Sequence, residues 1–123
     1  MIHGIHHIQI TVPPDTLEAA REFYVDRLGF TTIADPFNKP GFWLAAGAQQ
    51  VHVRPEADID RHKTFAHPAF LVTGLSDLET ELRRGGFVID PQPDFDGYTR
   101  LHVIDPGGNR IELMQRVAEV GNA

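Results

Sequence analysis

Cysteine is absent from the 123 residues, which excludes thiolate metal sites, cysteine nucleophiles and any disulfide framework. On compartment, that absence fits the cytosol. Basic charge is also in short supply, and the formal net charge of −6 argues against non-specific nucleic-acid binding, which needs a basic patch. No apolar run approaches the roughly 20 residues of a membrane span. The start, Met1-Ile2-His3-Gly4-Ile5-His6, lacks the basic residues and apolar stretch of a signal peptide. These absences lead to the expectation of a cytoplasmic protein with neither nucleic acid nor membrane as partner. A chain of this length buries a core without covalent staples.

What the sequence does contain is a doubled pattern. The segment Asp105-Pro106-Gly107-Gly108 reads as a tight turn, because proline presets φ and glycine accepts its positive values. A strand-like alternation follows, with Ile111 and Leu113 on one face and Arg110, Glu112 and Met114 on the other. Counting back 60 residues from Glu112 reaches His52, set between Val51 and Val53, and the same step from His67 reaches His7. Gly29-Phe30 and Gly86-Phe87 each follow a helical pattern. One unit occurs twice, as in an internal repeat.

Read in order, Ile5 to Val12 is a strand with Ile8, Ile10 and Val12 inward and His7, Gln9 and Thr11 outward. Parity therefore selects His7 and not His6 for the polar face. Asp15 with Glu18 predicts a helix start, Phe23 and Tyr24 fall on its core face, and Gly29 ends it. Strands are expected at Phe30 to Ala34, Phe42 to Ala45 and Gln49 to Arg54, with a loop from Asp35 to Gly41. Trp43 either lines a pocket or caps the core. The charged, aperiodic stretch 55–65 reads as a linker, with His62 solvated.

The second half repeats the plan, with His67, Ala69 and Leu71 in one phase and a helix opened by Ser76-Asp77-Leu78-Glu79. Strands follow at Phe87 to Ile89, Tyr98 to Ile104 and Asn109 to Gln115, and Asp90 to Gly97 reads as a loop. The fold class expected is α+β: one domain over 1–123, built from two paired βαβββ modules (5–54 and 66–116). Layering rules then place helices over the aliphatic faces and leave a polar-lined concavity on the other side.

On that face the expectation gathers His7, His52, His67 and Glu112. Neutral imidazoles with one carboxylate suit zinc, nickel, iron, manganese or cobalt. Single ligands from separate strands leave coordination positions open, as catalytic metals require. Arg100 and His102 share parity on their strand, as an anion clamp and an acid/base or as two solvated polar residues.

The motifs His7-Ile8-Gln9-Ile10-Thr11-Val12, Phe23-Tyr24 with Leu28-Gly29-Phe30, Ala66-His67-Pro68 and Asp105-Pro106-Gly107-Gly108-Asn109-Arg110-Ile111-Glu112 resemble the vicinal oxygen chelate superfamily. Glyoxalase I, bleomycin- and fosfomycin-resistance proteins and extradiol dioxygenases belong to it. The resemblance implies His7, His67 and Glu112 as the usual metal ligands, with His52 where glyoxalase I carries a second glutamate. It also implies a homodimer and a small-molecule substrate bound through neighbouring oxygens. The function expected is a divalent-metal-dependent, glyoxalase-like lyase or isomerase, with Glu112, His102 and Arg100 as catalytic residues. The alternatives are a metal-free drug-binding protein, as in bleomycin resistance, and a ring-cleaving dioxygenase. Ring-cleaving members carry a tyrosine where this chain has His102.

Overall fold

A computed structural model describes residues 1–117. The chain divides between Asp60 and Arg61 into two compact units, and each contains one four-stranded mixed sheet. Among the described residues no helix is long and apolar enough to cross a membrane.

In the first unit, β1 (His7–Val12), β2 (Thr31–Ile33), β3 (Phe42–Ala46) and β4 (Gln49–Pro55) form a sheet in the order β1-β4-β3-β2. β1 lies parallel to β4, and the remaining pairings are antiparallel. The connection from β1 to β2 is helical from Pro14 to Arg27. A 3-10 turn at Pro14–Thr16 leads into α1 (Leu17–Arg21) and then a π-helical segment, Glu22–Arg27. Asp15 sits within that first turn and makes no capping hydrogen bond, contrary to the sequence expectation. Pro14 starts the helix instead, because it has no N–H to satisfy there. Gly29 ends it at φ +82°, the left-handed conformation expected of a glycine stop. Phe23 and Tyr24 are fully buried with Val12, Leu44 and Val53, as helical spacing predicts. Arg21 lays its guanidinium 4.6 Å from the centre of the Phe42 ring, tying α1 to β3.

The second unit opens with a 3-10 turn at Arg61–Lys63 inside the expected linker, where Arg61 is buried. Its sheet contains β5 (Ala69–Leu71), β6 (Ile89–Phe95), β7 (Tyr98–Ile104) and β8 (Arg110–Arg116), in the order β5-β8-β7-β6. Again the first strand is parallel to the last and the other pairings are antiparallel. The loop expected over Asp90 to Gly97 is largely β6. Pro91 and Pro93 are tolerated because β6 ends its sheet, where one row of N–H groups has no ladder partner. Asp96 and Gly97, both at positive φ, form the two-residue hairpin turn to β7.

α2 (Leu75–Arg84) packs on β6 and β8 through buried Leu75 and Leu82. Ser76 does not cap it, since the helix starts one residue earlier, after Gly74 at φ +69°. The buried Gln115 amide of β8 accepts the Leu75 N–H at 2.8 Å and satisfies one of the helix's open donors.

Candidate metal centre

β8 lies between β5 and β7, so its outward face is flanked on both sides. Ile111, Leu113 and Gln115 point into the apolar side, which sends Glu112 to the other. The Asp105 turn fixes where that alternation begins. Its carboxylate accepts the backbone N–H of Gly107 and Asn109 and the Asn109 side-chain amide, at 2.8–2.9 Å. Gly108, at φ +95°, passes under the His62 ring, where an added Cβ would lie 2.9 Å from Nε2.

Glu112 is 5% exposed. Its Oε1 meets three nitrogens: His102 Nε2 at 2.8 Å, Arg100 Nη1 at 3.1 Å and His67 Nε2 at 3.2 Å. His102 arrives because β7 pairs it directly opposite Glu112, while Ala69 of β5 is the partner on the other side. His67 precedes β5 and is held by its Nδ1 against the Phe65 carbonyl at 2.8 Å. A carbonyl only accepts, so Nδ1 carries the proton. In a neutral ring the Nε2 lone pair then points at the carboxylate. Two lone-pair bearers face each other there, an arrangement that calls for a proton or a cation between them. Burial works to raise the Glu112 carboxyl, but the His102 hydrogen bond and the Arg100 charge, joined by His102 and His67 when those rings are protonated, outweigh it and hold the group below its ordinary range. Glu112 therefore stands ionised.

In the first unit, His52 of β4 is paired with Trp43 on β3 and Gln9 on β1. Its ring is sandwiched: Trp43 stacks at 3.8 Å and 5°, and His7 at 4.2 Å and 19°. Phe37, from the 35–41 loop, packs edge-on to Trp43. Trp43 thus belongs to the polar face and to its histidines. His52 Nε2 donates to Gln50 Oε1 at 2.9 Å, which leaves Nδ1 as its lone-pair nitrogen. Burial, then the neighbouring His7 and His6, push the His52 imidazole below its usual value, against a smaller opposing pull from Asp35.

The expected residues therefore fall into two groups. His67 and Glu112 come together in the second unit, joined by both proposed acid/base and clamp residues, His102 and Arg100. His7 and His52 come together in the first. The sequence reading missed Gln50 and Arg110 as functional partners. Arg110 Nη1 lies 2.9 Å from His102 Nδ1 and 4.0 Å from Asp90. Their parity with His52 and Glu112 was the available signal. The ligand atoms of His67, His102 and Glu112 lie within 4.8 Å of one another. An ionised carboxylate beside imidazole nitrogens is a donor set that fits a borderline divalent ion.

Comparison with known proteins identifies the family and the fold. None of the curated proteins matches the sequence. A glyoxalase-family protein solved from Bacillus anthracis is 34% identical, with a TM-score of 0.82 over 94% of this chain and 97% of that one. The fosfomycin resistance protein FosX of Listeria monocytogenes shares the fold at 17% identity and TM-score 0.73, covering 94% of this chain and 92% of its own. Lactoylglutathione lyase from Agrobacterium tumefaciens does so at 16% and 0.70, covering 93% and 94%. The sequence model of the Glyoxalase/Bleomycin resistance protein/Dioxygenase superfamily matches residues 4–113, and the chain belongs to that family.

Proposed function

We propose that this protein is a divalent-metal-dependent enzyme of the lyase or isomerase type, acting on a small substrate that presents two neighbouring oxygens. Members of the superfamily typically bind a divalent metal and small-molecule substrates, and they often form dimers. The observation that carries the reading is the buried Glu112 carboxylate, ringed by His67, His102 and Arg100 at 2.8–3.2 Å. His67 Nε2 and Glu112 would hold the ion. His7 and His52 remain in the reading as imidazole donors, with His52 offering Nδ1. A bound divalent ion would supply Lewis-acid stabilisation of negative charge developing on the substrate oxygens.

The remaining roles follow from the protein's own groups. Arg100 orients Glu112, and is itself held by the Pro93 carbonyl at 2.9 Å and by the Phe95 ring. A carboxylate held below its ordinary range is a good ligand and a weak base. Proton movement at the substrate is accordingly assigned to His102, whose Nε2 reaches the centre of the cluster. The test is metal analysis of purified protein, followed by His67→Ala and Glu112→Ala. Stoichiometric ion in the parent and its loss in both variants are expected; no retained metal under any supplementation would sink the proposal.

A metal-free binding role has one observation in its favour, the aromatic column Phe37–Trp43–His52–His7. Quenching of Trp43 fluorescence by a planar cationic drug, unchanged by chelators, would favour it over the enzyme. The proposal also includes a cytoplasmic homodimer, for which sedimentation equilibrium and cell fractionation are the checks.

A further inference from the structure

His102 is the side chain whose role the geometry leaves most open. It belongs by distance to the cluster that can hold a metal, yet the proposed reaction uses it to carry a proton. An imidazole cannot do both through one nitrogen. What decides between them lies on the far side of the ring, where Arg110 Nη1 is 2.9 Å from Nδ1. A guanidinium has five donors, no acceptor, and does not give up its proton in a protein. Nδ1 facing it must therefore be the lone-pair nitrogen. The proton of the neutral ring is then on Nε2, directed at Glu112 Oε1 at 2.8 Å. His67 shows the opposite arrangement, with Nδ1 donating to the Phe65 carbonyl and the lone pair on Nε2. Two histidines beside one carboxylate are thus set in opposite tautomers by different partners.

We propose that Arg110 is a positioning residue that fixes His102 in the Nε2–H form, which keeps His102 out of the metal's ligand set and reserves it as a hydrogen-bond and proton donor. The inference rests on the metal-enzyme reading for its purpose, but not for the tautomer itself. Arg110 is placed for this by strand parity, two residues before Glu112, and by β7–β8 pairing that sets it opposite Ile104, two residues beyond His102. Asp90, whose β6 position pairs with His102, lies 4.0 Å from the same guanidinium nitrogen and helps aim it.

Two-bond nitrogen–proton correlation spectra of the histidine rings test this, recorded on metal-free full-length protein at about pH 8, where ordinary imidazoles are neutral. In the parent protein His102 is expected as a single Nε2–H tautomer and His67 as Nδ1–H. Arg110→Met is expected to admit the Nδ1–H form beside the Nε2–H form that ionised Glu112 still favours, and Arg110→Lys, which still only donates, to retain the single tautomer. The Nδ1–H form of His102 in the parent overturns the proposal without reference to any variant. A single tautomer in all three proteins, or its loss in both variants, also overturns it. Addition of zinc separates this from the underlying reading. His67 is expected to respond in the parent while His102 stays a donor, and His102 is expected to join the response only in Arg110→Met. Zinc response at His102 in the parent contradicts the proposal. Absence of any zinc response, with the tautomers as expected, counts against the metal reading and leaves the Arg110 assignment standing.

Discussion

Equivalent register positions in the two units carry opposite electrostatics. His52 on β4 pairs with Trp43 and Gln9, and Glu112 on β8 pairs with His102 and Ala69. The strand order around both is the same. Yet His52 is enclosed by an indole and an imidazole, while Glu112 is ringed by a guanidinium and two imidazoles. Both end in the deprotonated, lone-pair-bearing form. Burial and like neighbours keep the first neutral, and donated hydrogen bonds with nearby positive charge keep the second ionised. The duplicated fold thus supplies the position, and the residues beside it choose the charge. The charge of the central residue, neutral in one unit and negative in the other, distinguishes the halves, and strand order does not.

Removing each central residue breaks the comparison most sharply. Glu112→Ala leaves the half-buried Arg100 guanidinium without its carboxylate and is expected to cost about 3 kcal/mol. His52→Ala removes a stacked ring but strands no charge, and is expected to cost about 2 kcal/mol. Urea denaturation of both variants measures the difference; equal losses would show that the charge at Glu112 has no special weight.

Acid should separate the units next. The Glu112 carboxyl is lowered on folding, so its contribution is fully present above about pH 4.3, its unfolded value. It is lost as pH falls through the lower folded value, because the unfolded chain takes the proton first. The His52 imidazole is also lowered. Stability is therefore undiminished above about pH 6.5 and declines below it, as the unfolded chain binds a proton that the folded one resists. Melting temperatures across pH are expected to lose the upper step in His52→Gln and the lower one in Glu112→Gln. A rise in stability on acidification would reverse the sign of both assignments.

The helix starts give a smaller contrast. Gln115→Ala leaves the Leu75 N–H without its buried acceptor and is expected to cost about 1–2 kcal/mol. Pro14→Ala, at a turn with no side-chain cap, is expected to cost less than about 1 kcal/mol. Thermal denaturation of the two variants checks the order.

These contrasts also mark what could be read in advance. Parity and the 60-residue offset placed His7, His52, His67 and Glu112 on polar faces, because strand alternation is a property of adjacent residues. The chain's two sheets follow from the same alternation. β6 was hidden because Pro91 and Pro93 signal a loop unless the strand is known to end a sheet. The Gln115 cap was hidden because its partner, Leu75, lies 40 residues away. Arg110 and Gln50 shared the right parity, but a flexible side chain's target depends on which strand lies alongside, and sequence spacing does not state that. The division of labour between His67 and His102 depends on hydrogen bonds to Phe65 and Arg110, one step further still.

Metal binding by calorimetry and elemental analysis, on the parent, Glu112→Gln and His67→Ala, tests the central claim most directly. One divalent ion per chain is expected in the parent, with affinity reduced about 100-fold or more in either variant, a loss of about 2.7 kcal/mol or more, while both variants stay folded. Equal affinity in parent and folded Glu112→Gln, or no ion bound by the parent at all, would contradict a metal centre built on this carboxylate.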